Sequence, residues 1–430
     1  MEKKLLVISI DSFITEDLEI MKTLPNFSRV LGEASVVKRN LTTYPTLTHS
    51  IHTTIQTGCR PGKHGVVNNE WFRPYSKTPP PWFDDAADIQ VPTFAQECAS
   101  QLGATTALVF WPLIRGADAD WVIVRPGVGG PHGAYADAED ELVRTSTPGI
   151  YTGRLYERCK GAWELPHYYD WDEFSARACE QMIYLHQPDV MITHWTVIDA
   201  ERHALGVFNE RIRPAYEALD RGLGYILKAL DDTGLWGRTI LCITSDHGQL
   251  DITRSCRPNA FLAGHNLITL NADGSLQDYE IYCHGSGLCC QVYLKDASAA
   301  NVEKAKRFFL AHRKELGFSE LFGREELMER YGLEGDFSFV LETDGETGFV
   351  SDLQGEVLSP ITGGDYRSSA GSHGHCPEKG VQPCLIVRNP FRADKVTLEH
   401  GYVIDQAPTF AAMLGASMPQ ADGKPMAELI

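Results

Sequence analysis

Five short segments scattered between residues 11 and 373 carry groups able to hold divalent cations: Asp11, Asp199 with His203, Asp246 with His247, His373, and a hydroxyl at Thr48. Carboxylates and imidazoles in this mixture suit metal-assisted hydrolysis, in which a bound cation activates an oxygen nucleophile. In the tetrapeptide SDHG at 245–248, Asp246 and His247 offer an oxygen and an imidazole at the end of an apolar run, and Gly248 permits a close approach of backbone. Alone, the tetrapeptide suits a structural strand end as well as a ligand pair. In IDAERHALG, Asp199 and His203 are four residues apart, which on a helix sets both side chains over one face, able to chelate one ion. Taken singly, that pair reads more readily as an N-cap Asp and a solvated His. The combination of segments shifts the reading toward metal chemistry.

Such dispersed groups need a rigid frame. Apolar runs of strand length, LLVISI, TTALVF at 105–110, DVMITHW at 189–195, TILCITSD at 239–246 and CLIVR at 384–388, alternate with helix-length stretches at 174–187, 210–232, 302–314 and 405–415. This alternation predicts an α/β fold with a mostly parallel central sheet and helices on both faces. Three of the runs end at or just before a candidate ligand, as expected where sites sit beyond the carboxyl ends of parallel strands. Within 252–372 the pattern changes to turns and hairpin-like pieces such as FSFVLETDGETGFVSD, where the DG step favours a tight turn. The expected organisation is a catalytic unit of residues 1–251 and 373–430, with 252–372 inserted as a smaller α+β cap.

Composition bounds the class. The 430 residues are 43% hydrophobic, ordinary for a globular chain with ample core, and 57 acidic against 39 basic residues give a formal charge of −18. That charge disfavours binding to nucleic acid polymers or anionic membranes. The opening MEKKLLVISID has too short an apolar stretch for a signal segment or a membrane span and reads as a first strand delivering Asp11 at its tip. Eleven cysteines without framework spacing suggest free thiols in a reducing, cytoplasmic setting. Oligomeric state has no signature in the sequence.

Residues 42–69, TTYPTLTHSIHTTIQTGCRPGKHGVVNN, carry a more specific signal. They resemble the nucleophile segment of the type I phosphodiesterase/nucleotide pyrophosphatase family within the alkaline phosphatase superfamily, whose pattern is a Pro, a Ser or Thr, any residue, the nucleophilic Thr, and then TGxxPxxHGxxxN. Thr46 and Thr48 both follow Pro45, and counting back from Thr57 and Gly58 places the family nucleophile on Thr48, the nearby His on His52 and the phosphate-binding Asn on Asn69. By the same resemblance VISIDSF supplies a metal-binding Asp11, DAERHALG supplies Asp199 and His203, SDHG supplies Asp246 and His247, and SHGH supplies His373. FWP at 110–112 and the C-terminal DQAPTFAAMLGASMPQADGKPM share the likeness without ligands. Two departures stand out: His49, Ser50 and Ile51 replace the usual Phe, Pro and Asn after the nucleophile, and His375 competes with His373 for the last ligand position. Cys376 is a soft donor, but a lone Cys beside a filled site is more often packed.

The resemblance implies that Asp199, His203 and His373 hold one divalent ion and Asp11, Asp246 and His247 the other, together with the Thr48 oxygen. Zinc suits these ligands best, with manganese or iron also compatible. It further implies that Thr48 attacks phosphorus to give a phosphothreonyl intermediate while Asn69 and the Thr48 amide support the nonbridging oxygens. The expected substrate is a small phosphate ester, a diester ahead of a monoester because a neutral amide at Asn69 matches a singly charged phosphate. A phosphonoacetate-type hydrolase is the main alternative and would need Lys63, Arg115 or Arg125 for the substrate carboxylate, although isolated basic residues are usually solvated. A sulfatase would need a modified Cys or Ser in CxPxR. A monoesterase would bring a Ser nucleophile and more basic residues, and a noncatalytic relative would have lost a ligand. The aromatic loop WFRPYSKTPPPWF at 71–83 reads either as a stacking surface for a substrate group or as a loop packing its own rings.

Overall fold

A computed structural model of the chain describes residues 1–78, 80–126, 138–147 and 168–430. Its frame is an eight-stranded sheet: β1 (Lys4–Ile10), β2 (Ser35–Leu41), β3 (Thr106–Val109), β4 (Trp121–Ile123), β5 (Val190–Trp195), β6 (Thr239–Thr244), β7 (Leu385–Arg388) and β8 (Thr397–Tyr402). The spatial order is β8-β2-β7-β6-β1-β5-β3-β4. Every neighbouring pair is parallel except those of β7, which runs against both β6 and β2. The five predicted strands are present; β2, β4 and β8 were not anticipated, because polar and charged residues interrupt the apolar run in β2 and β8 and β4 is three residues long.

β1 shows why its sequence makes a central strand. All seven residues are buried, and successive side chains serve opposite faces: Leu6, Ile8 and Ile10 enter one apolar core, Leu5 and Val7 the other. The first core is closed by helices Pro25–Glu33, Tyr168–Leu185 and Arg213–Asp232, the second by Thr48–Thr57, Phe94–Leu102 and Gln406–Leu414. The predicted helices at 174–187, 210–232, 302–314 and 405–415 correspond to Tyr168–Leu185, Arg213–Asp232, Ala299–Ala311 and Gln406–Leu414. Among the described residues no helix is long and apolar enough to cross a membrane.

Residues 252–372 contain an antiparallel sheet in the order Ile281–Ser286, Cys289–Leu294, Phe339–Thr343, Phe318–Gly323, with its own apolar core and the Ala299–Ala311 helix. The segment leaves and rejoins the main body at one place, where Leu250–Asp251 pairs antiparallel with Gly371–Ser372. The hairpin expected around the DG step is not one. Phe339–Thr343 and Thr347–Phe349 flank the turn at Gly345 (φ 98°), but the second strand pairs with Arg254–Cys256 in a different sheet. The turn chemistry was local, whereas the choice of pairing partner was not. Ten cysteines lie among the described residues, all buried and free.

Candidate active site

The site assembles where β1, β5 and β6 end side by side. Asp11 follows β1 directly and its amide donates to the Trp195 carbonyl at the end of β5 (2.8 Å). The next residue, Ser12, adopts φ 60°, a conformation that non-glycine residues rarely take and that the surroundings must hold. Its amide donates to Asp246 Oδ1 (3.2 Å), so the two strand ends brace each other. Gly248 has no room for a side chain: a Cβ there would lie 2.3 Å from the Val381 carbonyl oxygen, which accounts for a glycine after His247.

Thr48 opens the helix Thr48–Thr57, whose ten residues are all buried despite the sequence THSIHTTIQT. The helix tolerates burial because Thr53 and Thr57 hydroxyls donate back to the His49 and Thr53 carbonyls (2.7 Å each). Thr48 Oγ1 lies 3.2 Å from His247 Nε2. The same nitrogen lies 3.2 Å from Asp246 Oδ2 and 3.5 Å from Asp11 Oδ1. Thr46, the competing hydroxyl, faces elsewhere: its Oγ1 donates to the His375 carbonyl (3.0 Å) and accepts from the Gly374 amide (2.9 Å).

A second group forms from Asp199, His203 and His373. Asp199 and His203 stand one turn apart on helix Val197–Leu205, with His203 Nε2 3.0 Å from Asp199 Oδ2. His203 Nδ1 donates to the Gly371 carbonyl (2.7 Å) and His373 Nδ1 to the Thr46 carbonyl (2.8 Å). A carbonyl can only accept, so both rings carry a proton on Nδ1 and present Nε2 to the site; burial keeps that of His373 a free lone pair, whereas at His203 the Asp199 carboxylate outweighs burial and raises the pKa, so a bound cation would take the place of its Nε2 proton. His375 lies outside this group, and Cys376 is packed against Tyr331, whose hydroxyl donates to its sulfur (3.5 Å). The first group contains Asp11, His247 and also Asp199, so Asp199 reaches both clusters rather than one.

The electrostatics are those of a place short of positive charge. Burial, then repulsion from Asp199 and Asp246, pushes Asp11 well above the usual carboxylate range. Burial and the Asp199 charge raise Asp246 to about 7. Burial also pushes Asp199 upward, but His203, His373 and His247 outweigh it and hold that carboxyl low. Burial keeps His373 neutral, its pKa lowered to about 4. Asp11 Oδ1 and Asp246 Oδ2 are buried and without a hydrogen-bond donor. Orphaned carboxylate oxygens facing bare imidazole nitrogens fit divalent cations in both donor groups.

Asn69 sits beside Thr48. Its Oδ1 accepts the His49 amide (2.9 Å), which turns its buried Nδ2 away with no acceptor among the described residues. Two histidines of the motif have other duties. His52 donates from Nδ1 to the Thr48 carbonyl (2.8 Å) and sits 2.9 Å from the Ser9 hydroxyl, pinning the helix start onto β1. His64 lies 3.1 Å from the Thr54 hydroxyl and accepts the Val66 amide (3.2 Å), tying the TGxxPxxHG loop to the helix.

Several contributors escaped the sequence reading. His194, one residue before the end of β5, lies 3.2 Å from Asp11 Oδ2. Gln249 donates to Asp199 Oδ1 (2.5 Å). Asp172 caps the ligand-bearing helix from outside, accepting the Thr196 and Val197 amides (2.8 Å each). Tyr366 stacks on His373 with ring centroids 5.2 Å apart. Only His194 and Gln249 carried a local signal, their places beside a strand end and the SDHG tetrapeptide; the others arrive from distant segments.

The two groups open into a cavity of about 850 Å³ walled by Phe110, Trp111, Trp171, Trp82 and Tyr366. Of the aromatic loop 71–83, only Trp82 lines it; Trp71 stacks on Phe83 (4.2 Å) and Phe72 on Tyr293 (3.6 Å). Of the three basic candidates, Lys63 is bound to Asp422 (2.7 Å) and Arg115 to Asp84 (2.5 Å) and Glu141 (3.1 Å), while Arg125 lines the cavity.

A mostly parallel sheet covered by helices on both faces, with candidate metal-ligand groups at the carboxyl ends of its strands, is the arrangement expected of the alkaline phosphatase superfamily. A family profile described as type I phosphodiesterase / nucleotide pyrophosphatase matches residues 5–330, and the chain belongs to that family. Over 258 residues it is 25% identical to ectonucleotide pyrophosphatase/phosphodiesterase family member 5 of Homo sapiens, covering 57% of this chain and 45% of that protein. Over 264 residues it is 23% identical to the bis(5'-adenosyl)-triphosphatase of Bos taurus, covering 58% and 48%. The alignments thus span less than half of these relatives' own lengths. The solved structure of murine ectonucleotide pyrophosphatase / phosphodiesterase 5 superimposes with a TM-score of 0.65 at 17% identity over 98% of both chains. An inactive form of the murine protein, in complex with AMP, gives 0.64 at 17% identity over 98% and 97%. At that identity the likeness establishes the shared fold.

Proposed function

We propose that this protein is a two-metal hydrolase of small phosphodiesters or nucleotide anhydrides that uses Thr48 as its nucleophile. The carrying observation is that Thr48 Oγ1, at a helix start, lies 3.2 Å from the His247 nitrogen on which Asp11 and Asp246 also converge. Asp199, His203 and His373 would hold one ion and Asp11, Asp246 and His247 the other, with Asp199 able to serve both; zinc matches the donors best. Divalent ions bound there would supply Lewis acidity, lowering the pKa of a nearby hydroxyl and neutralising phosphoryl oxygens. Thr48 Oγ1 loses its proton to solvent and attacks phosphorus, the new O–P bond forming in line as the bond to the leaving oxygen breaks and that oxygen takes a proton from water. Asn69 Nδ2, free to donate, holds a nonbridging oxygen. Gln249 keeps Asp199 in orientation and the Gly371 and Thr46 carbonyls keep His203 and His373 in their tautomers. Water attack on the resulting phosphothreonine releases product and restores the hydroxyl. The family membership and the names of the relatives support nucleotide-type substrates over a phosphonoacetate.

The test is a panel of p-nitrophenyl thymidine 5'-phosphate, p-nitrophenyl phosphate, p-nitrophenyl sulfate and phosphonoacetate on one zinc-loaded sample. The diester should be turned over fastest, and Thr48→Ala should lower its kcat by about 10⁴-fold while metal content stays near wild type. Full activity in Thr48→Ala would sink the nucleophile assignment.

A further inference from the structure

The cavity wall away from the ligand groups carries a charge that the proposed hydrolysis does not use. Arg125 is the one lysine or arginine lining the cavity among the described residues. It follows β4, and its Nη1 donates to the Thr196 hydroxyl (3.2 Å). Thr196 is itself held by Asp172, which accepts its amide, so the anchor is rigid. The guanidinium lies 5.7 Å from the Tyr168 ring centroid and 6.0 Å from that of Trp171, between apolar faces rather than in open water. Lys63 and Arg115 both have carboxylate partners, whereas no described carboxylate forms an ion pair with Arg125. Asp172 is occupied by the backbone amides of Thr196 and Val197, with pKa raised by burial to about 7 despite them.

An arginine has five N–H donors in a planar fork, and among the described residues one of them is engaged. A partly desolvated guanidinium with free donors is a costly thing to build into an apolar wall unless an anion meets it. The reacting phosphorus does not need it: a singly charged phosphate beside Thr48 has Asn69 and the proposed ions. Arg125 is nonetheless close enough for its charge to act on Asp11, His49 and His194, so it belongs to the same chamber.

We infer that Arg125 binds a second phosphate of the substrate, one separated from the reacting phosphorus, and so makes the enzyme selective for phosphoanhydrides over simple diesters. The inference rests on the hydrolase reading above and assigns the substrate class of that site. Arg125 is a binding residue here: it touches the substrate, not the reacting atoms. Its loss should therefore act on KM more than on kcat.

The experiment compares adenosine 5'-triphosphate with bis(p-nitrophenyl) phosphate, which has no second anionic group, in wild type, Arg125→Gln and Arg125→Lys. Arg125→Gln should lower kcat/KM for the triphosphate by about tenfold to a hundredfold, mainly through KM, and at least tenfold more than for the diester. Arg125→Lys should recover part of that loss. Equal losses on both substrates, or a loss confined to kcat, would overturn the inference and make Arg125 a structural prop for Thr196. If the zinc-loaded wild type hydrolysed neither compound, the hydrolase reading would fall instead. Calorimetric binding of adenosine 5'-diphosphate would still decide Arg125: a Kd weakened about tenfold in Arg125→Gln supports it, and an unchanged Kd rejects it.

Discussion

Two clusters of buried charge sit on the same two chain segments and are built on opposite rules. Arg202 and Asp17 form a fully buried pair at 2.7 Å, to which Tyr216 adds a donated hydroxyl hydrogen (2.6 Å) and the Ile14 amide another (2.9 Å). Arg202 also reaches the Ser12 and Val207 carbonyls, so its charge is met from several directions. Six residues before Asp17 and one after Arg202, Asp11 and His203 belong to the other cluster, where the carboxylates of Asp11, Asp199 and Asp246 crowd together and two of their oxygens are orphaned. A buried charge is tolerated when paired and hydrogen-bonded, and an unpaired one costs several kcal/mol. The first cluster is therefore complete as a protein, whereas the second leaves buried carboxylate oxygens unmet, which the proposed cations would satisfy. The paired cluster also holds the backbone on which the unpaired one depends, because the Ser12 carbonyl that meets Arg202 adjoins Asp11.

That contrast can be broken or sharpened by experiment. Chelation should abolish turnover and lower stability by about 4 kcal/mol relative to protein holding metal at a thousand times Kd, with zinc restoring both. An unchanged melting temperature on chelation would mean that the carboxylate cluster is as self-sufficient as the Arg202–Asp17 pair. Arg202→Met leaves Asp17 buried without its partner and should cost about 3–5 kcal/mol in denaturant unfolding. A variant as stable as wild type but inactive would remove the division between a structural and a functional cluster. Asn69→Ala touches neither cluster, and should reduce kcat by about 10²–10³-fold with a stability loss of about 1–3 kcal/mol from the buried His49 amide left without its acceptor.

The smallest effect is on pH dependence. Burial lowers the His64 pKa to about 3, whereas the unfolded chain binds a proton near the ordinary 6.5. A group with a depressed pKa contributes stability that is present above 6.5 and lost as pH falls toward 3. His64→Gln should flatten the stability slope in that window by up to about 1.4 kcal/mol per pH unit; an unaltered slope would show that His64 is charged in the folded protein.

How much of this was legible before the structure depended on where each signal resides. β1, β5 and β6 announced themselves as near-continuous apolar runs because they are buried on both faces, and the ligand-bearing residues at their ends could be located from the runs. β2 and β8 at one side of the sheet are interrupted by charged and polar residues and gave no comparable signal. The strands ending at Thr343 and beginning at Thr347 were visible, yet their assignment to two different sheets was not, since pairing is a long-range choice. Likewise Asp172, Tyr366 and Trp82 reach the site from segments whose local patterns say nothing about cations or phosphate.

The sequence by itself determined the fold class, the family, and the chemical types gathered at the strand ends, because strand burial and i,i+4 spacing are local properties of the chain. Tertiary structure decided which of two threonine hydroxyls faces His247, which histidine of SHGH joins Asp199 and His203, and that Asp199 reaches both donor groups. It also decided that Arg125, unlike Lys63 and Arg115, has no carboxylate partner among the described residues and lines the cavity. Those choices rest on distances between residues tens to hundreds of positions apart, set by how the two faces of one sheet are packed.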